Sequence, residues 1–201
     1  MQLKRAILTA PLLIVLAAGC GDDSTGPDDG GPGSGPETPG SLSFTFSGPI
    51  SGTFSANGVP KEDFEKSLAT GSFAVAYTVE GIGMGVSAYQ RTTGSRGNMV
   101  LVIIEGTDKG KYDLDPSECE PRCATVMFYY NIDFEKGMDE STRLFALGLG
   151  EVEVTEVDSK VLKGKFSGKA VEFLTDVSVL EVTNGSFSAP IVTVPPQGPK
   201  T

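Results

Sequence analysis

The chain has 201 residues, a formal net charge of −10, three cysteines, and neither histidine nor tryptophan. Without imidazole, Ser-His-Asp and Cys-His catalysis, the common zinc sites and a charge switch near neutral pH are excluded; without indole, the preferred stacking surface for sugars and quaternary ammonium groups is missing. So acidic a chain repels phosphate backbones and anionic headgroups, which argues against nucleic acid as a partner and leaves cations and neutral ligands open.

Residues 1–19 begin with two cations, Lys4 and Arg5, and continue in an uncharged run from Ala6 to Gly19. That run is about 14 residues long, short of the ~20 that a bilayer-spanning helix needs, so it reads as a cleaved leader. Its loss removes both cations and leaves −12 on the remainder. The junction Leu16-Ala17-Ala18-Gly19-Cys20 resembles the lipobox of bacterial lipoproteins, with Leu16 one place further out than in the commonest arrangement and Ala17 in the usual leucine position. The resemblance implies cleavage before Cys20, lipid on its sulfur and attachment to a membrane. Gly21, rather than Asp, after the cysteine implies sorting to the outer membrane. The alternative is an ordinary secretory leader cut at an Ala-x-Ala-like site, which leaves Cys20 a free thiol.

Residues 21–41, GDDSTGPDDGGPGSGPETPGS, hold no large apolar side chain and are predicted to be a disordered tether. Such a chain has a root-mean-square span of roughly 25 Å, lengthened by its prolines and like charges. Asp22, Asp23, Asp28 and Asp29 lack the fixed spacing and turn glycine of a calcium loop, so they read as a solvated spacer.

From residue 42 to 194 the apolar residues recur at every second position, the period of half-buried strands, and residues 195–201 read as a disordered tail. Leu42, Phe44 and Phe46 open the pattern, followed by Pro60, Glu62, Asp63, Phe64 and Leu68, which predict a two-turn helix near 60–69. Phe73, Val75, Tyr77 and Val79 come next. Met99 to Ile104 is apolar on both faces, as expected of a central strand covered on both sides. Ala124, Val126, Phe128, Tyr130 and Ile132 form the longest clean run, and a phase slip between Val177–Val179 and Leu180–Val182 predicts a bulge. Turns are expected at Asn57-Gly58, Thr93-Gly94-Ser95, Asp158-Ser159-Lys160 and Asn184-Gly185. The expected fold is all-β, a single antiparallel β-sandwich, or alternatively a flattened β-barrel.

Gly-x-Phe recurs at Gly52-Thr53-Phe54, Gly71-Ser72-Phe73, Gly164-Lys165-Phe166 and Gly185-Ser186-Phe187, at spacings too irregular for a solenoid or propeller. Each reads as a chain that turns at glycine and then plants a ring in the core. Together with the lipobox and the acidic tether, the run Gly164-Lys165-Phe166-Ser167 and Thr183-Asn184-Gly185-Ser186-Phe187 resembles β-domain lipoproteins of environmental bacteria. That group has no established activity, so the resemblance implies location and fold only.

Candidate chemistry is sparse. Cys119 and Cys123 flank Glu-Pro-Arg and are expected to form a disulfide in an oxidising compartment; a redox-active pair with a thiolate favoured by Arg122 is the sharper alternative. Gly81, Gly83 and Gly85 leave one face of a strand bare, for a ligand or for a neighbouring ring such as Tyr89 or Tyr129. Asp113, Asp115 and Glu118, with Glu120, are a weak calcium candidate. Glu151 and Glu153 are expected on one side of a strand about 7 Å apart, a spacing compatible with glycoside hydrolysis or with a solvated outer face. No serine is followed three places on by lysine, so no Ser-x-x-Lys nucleophile exists. The chain therefore reads as a membrane-anchored envelope lipoprotein with no catalytic residues and no cofactor beyond the lipid on Cys20, its β domain a binding or structural module. The alternatives are a barrel carrying a small apolar ligand against Met99, Phe128 and Tyr130, and a carboxylate-dependent hydrolase.

Overall fold

A computed structural model describes residues 40–60, 71–115, 117, 121–173 and 178–192. The leader, Cys20, the tether before residue 40, the expected helix beyond Pro60 and the tail from residue 193 lie outside the described residues. Among those described there is no helix, and the elements are β1 (Ser41–Ser47), β2 (Gly52–Asn57), β3 (Phe73–Val79), β4 (Gly83–Thr93), β5 (Arg96–Ile104), β6 (Gly110–Asp113), β7 (Ala124–Asp133), β8 (Arg143–Val157), β9 (Val161–Glu172) and β10 (Val179–Pro190).

All ten belong to one antiparallel sheet in the order β2-β1-β10-β9-β8-β7-β5-β4-β3. β8 is longer than its neighbour: β7 pairs with its first residues, up to Leu147, and β6 takes Glu151–Val154 on the same edge. The two ends of the sheet approach one another. Ala74 N donates to Gly58 O (3.1 Å), and Val192 N donates to Ala76 O (2.8 Å) beside a parallel bridge between Ala76 and Ile191. The hydrogen-bonded row that starts at Phe73 passes Tyr89, Met99, Tyr129 and Leu144. Followed the other way, from Ala74 through Gly58, Gly40, Ser188 and Lys163, the row meets β8 at Glu156, and this drift in register is the stagger that a closing sheet requires. The all-β expectation holds, and a sandwich and a flattened barrel both describe this nearly closed sheet.

The interior is filled by rings. Phe44 and Phe46 of β1 each lie 5.2 Å, centroid to centroid, from Phe128 of β7, four strands away in sheet order. Phe54, Tyr130 and Phe145 complete the shell around Phe128 at 6.2–6.3 Å. Opposite walls are thus in contact, and such ring pairs contribute about 0.5–1.5 kcal/mol beyond the area they bury.

At two of its four sites the Gly-x-Phe recurrence has a physical reason different from the expected one. Gly164 and Gly185 do not turn the chain; they lie within β9 and β10, and Gly164 faces Phe187 while Gly185 faces Phe166 in register. Each motif's glycine therefore leaves room for the other motif's ring. A Cβ on Gly185 would sit 2.7 Å from Phe166 Cγ. Gly52 opens the same kind of space for Phe46, its register partner in β1, where a Cβ would lie 3.0 Å from the ring. Gly185→Ala is expected to cost about 1–3 kcal/mol by overpacking, whereas Gly148→Ala, where nothing lies within 4 Å, is expected to stay within about 0.5 kcal/mol of the parent. Urea denaturation of both variants checks this pair.

A second, smaller cluster lies on the outer face: Phe73, Val75, Tyr89 and Met99, with Tyr129, Ile132, Phe134 and Val192 packed against it. Phe73 and Val75 therefore point away from the main core, which β3 supplies with the small residues Ala74 and Ala76. β5 is covered on both sides as expected, since Val100, Val102 and Ile104 face inward while Met99 and Leu101, on the other face, are also buried. Ile132 departs from the β7 alternation: Asn131 takes a left-handed conformation (φ 60), the β5–β7 register shifts nearby, and Ile132 joins the outer cluster. Asn184-Gly185 is a bulge inside β10 and not a turn, with Asn184 at φ 55 and the register shifting between Val182 and Gly185. The bulge expected between Val179 and Leu180 is absent, since β10 pairs with β9 without a break from Val179 to Val182. The turn at Gly94 (φ 62) joins β4 to β5 as expected.

Candidate functional site

A shallow depression of about 250 Å³ lies on the outer face between the β10 bulge and two irregularities of β8, one at Gly148 between Leu147 and Leu149 and one between Val154 and Glu156. Glu151 and Glu153 of β8, Lys165 and Ser167 of β9, and Asn184 of β10 line it. The structure thus brings the two glutamates to one side, as expected. Lys111 Nζ on β6 donates to both carboxylate oxygens of Glu151 (2.9 and 3.1 Å), and Glu153 lies opposite Lys111 and Lys165 in register. Beyond the rim, Lys163 pairs with Glu156 at 3.1 Å. Hydrogen bonding to Glu151 holds the Lys111 ammonium above its usual range. Exposed pairs of this kind are screened by solvent and add little to stability, and they give the sheet a solvated outer surface.

The Asp113 loop is organised by local hydrogen bonds. Asp113 Oδ1 accepts the Asp115 amide (2.8 Å), and Asp115 Oδ1 accepts the Ser117 hydroxyl and amide (2.6 and 2.9 Å), which hold the Asp115 carboxyl below the usual range. No three His, Cys, Asp or Glu side chains converge as a metal site among the described residues. Glu118, Cys119 and Glu120 lie outside them. Arg122 stacks over the Tyr112 ring at 5.4 Å and donates to the Lys109 carbonyl (3.1 Å).

The bare strand face at Gly85 is occupied by a ring, but by Tyr77 and not by Tyr89 or Tyr129. Tyr77 is the register partner of Gly85 on β3, a Cβ on Gly85 would lie 2.6 Å from the ring, and the Tyr77 hydroxyl is 3.1 Å from Ser87 Oγ. Gly83 is closed off by the backbone of Ile104 and Gly106. Gly81 has nothing within 4 Å of a Cβ.

Of the residues expected to line a carrier's cavity, Phe128 is packed among five other rings and Tyr130 lies on its flank. Met99 belongs to the outer cluster, not to the interior. The three do not line a common space.

Periodicity alone did not reveal an ion pair on the inner face at the end where β7 meets β8. Arg143 donates through Nε and Nη2 to the two oxygens of Glu172 (2.8 and 2.7 Å), and its guanidinium lies 5.0 Å from the Phe145 ring centroid. Hydrogen bonding to Glu172 holds Arg143 above its usual range. The only sequence signal was a charge at an inward position of each strand: Arg143 pairs with Tyr130, and Glu172 with Phe145.

Three loop carboxylates couple the domain to pH. Arg96 bonds Asp139, and with Ser141 it holds that carboxyl well below the usual range. Burial alone would raise Asp133, but the Glu135 and Lys136 amides (3.0 and 3.1 Å) outweigh it and lower it. The Lys160 and Val161 amides (2.6 and 2.7 Å) lower Asp158 in the β8–β9 turn. Carboxyls depressed on folding contribute stability that is present above their unfolded values, near pH 4, and lost as pH falls through the folded ones. The melting temperature is therefore expected to be flat from pH 7 to about 5 and to fall below about pH 4, with a shallower acid limb in Asp139→Asn. Thermal melts across that range measure it.

No protein-family model matches the chain, and no curated protein or solved structure matches it either. The fold places it among all-β proteins built from one nearly closed antiparallel sheet.

Proposed function

We propose that the chain is an envelope lipoprotein held on a membrane, in the sorting reading the outer membrane, by lipid on Cys20, with a β domain that acts as a binding or structural module. The observation that carries this reading is the run from Lys4 through the uncharged stretch to Leu16-Ala17-Ala18-Gly19-Cys20, followed at once by the Gly/Pro/Asp tether. Two structural facts support it. Gly40 is held at one end of the sheet, its amide donating to Ser188 O (2.7 Å) and its carbonyl accepting from Gly58 N (2.8 Å), so a tether ending there delivers the domain at a fixed point. The ring-filled interior and the Lys111–Glu151 ion pair on the outer face favour a surface role over a carrier or a hydrolase.

A Cys119–Cys123 disulfide belongs to the same proposal. The oxidising compartment of the lipoprotein reading and the close spacing of the two thiols around Glu-Pro-Arg support it. So short a closed loop contributes about 2 kcal/mol on the chain-entropy account, enough to shape the segment before β7.

The decisive experiment is Cys20→Ser in the producing cell. The parent is expected to take up labelled palmitate and fractionate with envelopes, and the variant to do neither. A variant that still carries label and stays with the envelope overturns the lipoprotein reading.

A further inference from the structure

The outer face carries an apolar row that the strand alternation alone does not announce. Met127, Ala146, Val171 and Val179 are successive register partners across β7, β8, β9 and β10. Phe173 lies beside this row, its amide donating to Leu144 O (2.8 Å). Phe173 is 65% exposed, Leu149 57%, Val179 48% and Val171 37%, an unusual concentration of bare apolar side chains on one face. Next to them, Lys169 and Glu181 oppose each other in register, so the margin is balanced in charge.

We propose that this patch lies against the surface of the membrane to which the chain is anchored, fixing the orientation of the domain on it. The proposal rests on the reading of Cys20 as the lipidated residue. The size of the patch selects the occupant. Four strands span about 15 Å and two residue rows about 7 Å, a few hundred Å² at most. That is well under the roughly 800 Å² per partner of a stable protein interface, and far short of the ~25 Å band of a membrane-spanning barrel. It suits an apolar face that enters the headgroup boundary by about 5–10 Å.

The tether length permits this arrangement. β10, with 12 residues, separates the Gly40 end from the Phe173 end by about 40 Å. The residues from Cys20 to Gly40 extend to about 65 Å, so the far end of the domain can fold back to the bilayer. Anchoring also makes docking intramolecular, with an effective concentration near the millimolar range, so weak affinity suffices. The charge balance at the margin, in a chain of net charge −10, fits a zwitterionic surface.

The absence of tryptophan supplies the test. Full-length protein carrying Phe173→Trp, or separately Val179→Trp, is purified with its acyl chains and reconstituted in phosphatidylcholine vesicles, with or without brominated acyl chains. Ile82→Trp, in the β3–β4 turn and 46% exposed, is the reference. The expected result is a blue shift and at least twofold quenching by brominated lipid for the indole introduced at either patch position, against less than a tenth for the reference variant. Acylation of Cys20 is read separately by mass. Acylated protein whose patch reporters are quenched no more than the reference overturns the proposal while leaving the anchor intact. A blue shift that grows with protein density without bromine quenching assigns the patch to a second copy and also overturns it. Absence of acyl chains overturns the anchor and this proposal together.

Discussion

Phe128→Ala is expected to lower the unfolding free energy by about 3–5 kcal/mol, the usual cost of emptying a buried phenylalanine site. Phe128 is almost completely buried and stands where β1 rings from one wall meet β7 and β8 rings from the other. In a domain of about 150 residues each kcal/mol shifts the melting temperature by roughly 2–4 °C, so a fall of about 10 °C is expected. Urea denaturation should show a lower midpoint at an unchanged slope. A loss below about 1 kcal/mol would mean that the interior has slack, and would restore the carrier reading.

Glu172→Gln is expected to cost about 3 kcal/mol, at the low end of what breaking a buried ion pair does. The Arg143 side chain is 27% exposed and that of Glu172 10%, so removing the carboxylate leaves a guanidinium among Phe145 and Tyr130 without its bidentate acceptor. The double variant Arg143→Met/Glu172→Leu is expected to recover most of the loss, because two apolar side chains suit the end of a ring-filled interior. The single variants Arg143→Met and Glu172→Leu complete a double-mutant cycle that measures the coupling; losses that simply add would show that the two side chains act independently and not as a pair.

Much of the strand set was legible because one side of most strands faces the rings. The inward alternation of Leu42, Phe44 and Phe46, and of Ala124, Val126 and Phe128, comes directly from the two-residue period. What stayed hidden depends on pairing. Asn184-Gly185 looks like a turn locally, and only its partner Phe166 explains why glycine stands there. Phe73 and Val75 look like core residues, and they are buried, but against the outer cluster. Periodicity gives a face and does not say which face is inside. For the site, Glu151 and Glu153 share a side as expected, while Lys111, the cation on Glu151, comes from a strand 40 residues away in sequence. The Arg143–Glu172 pair, 29 residues apart, was invisible for the same reason.

The pairing of β1 with β10 has a consequence for how the molecule is born. Ser41 lies opposite Ser188, and Ile191 and Val192 stitch the sheet's last gap to β3. A polypeptide made from its N-terminus therefore emerges with its first hairpin unpartnered on one edge, and we expect it to stay so until almost the whole chain has been synthesised. Non-local pairing of this sort slows maturation and leaves strand edges open to neighbours. Ribosomal stalling before residue 180 should yield species that proteases digest readily, and release past residue 192 should yield a resistant one.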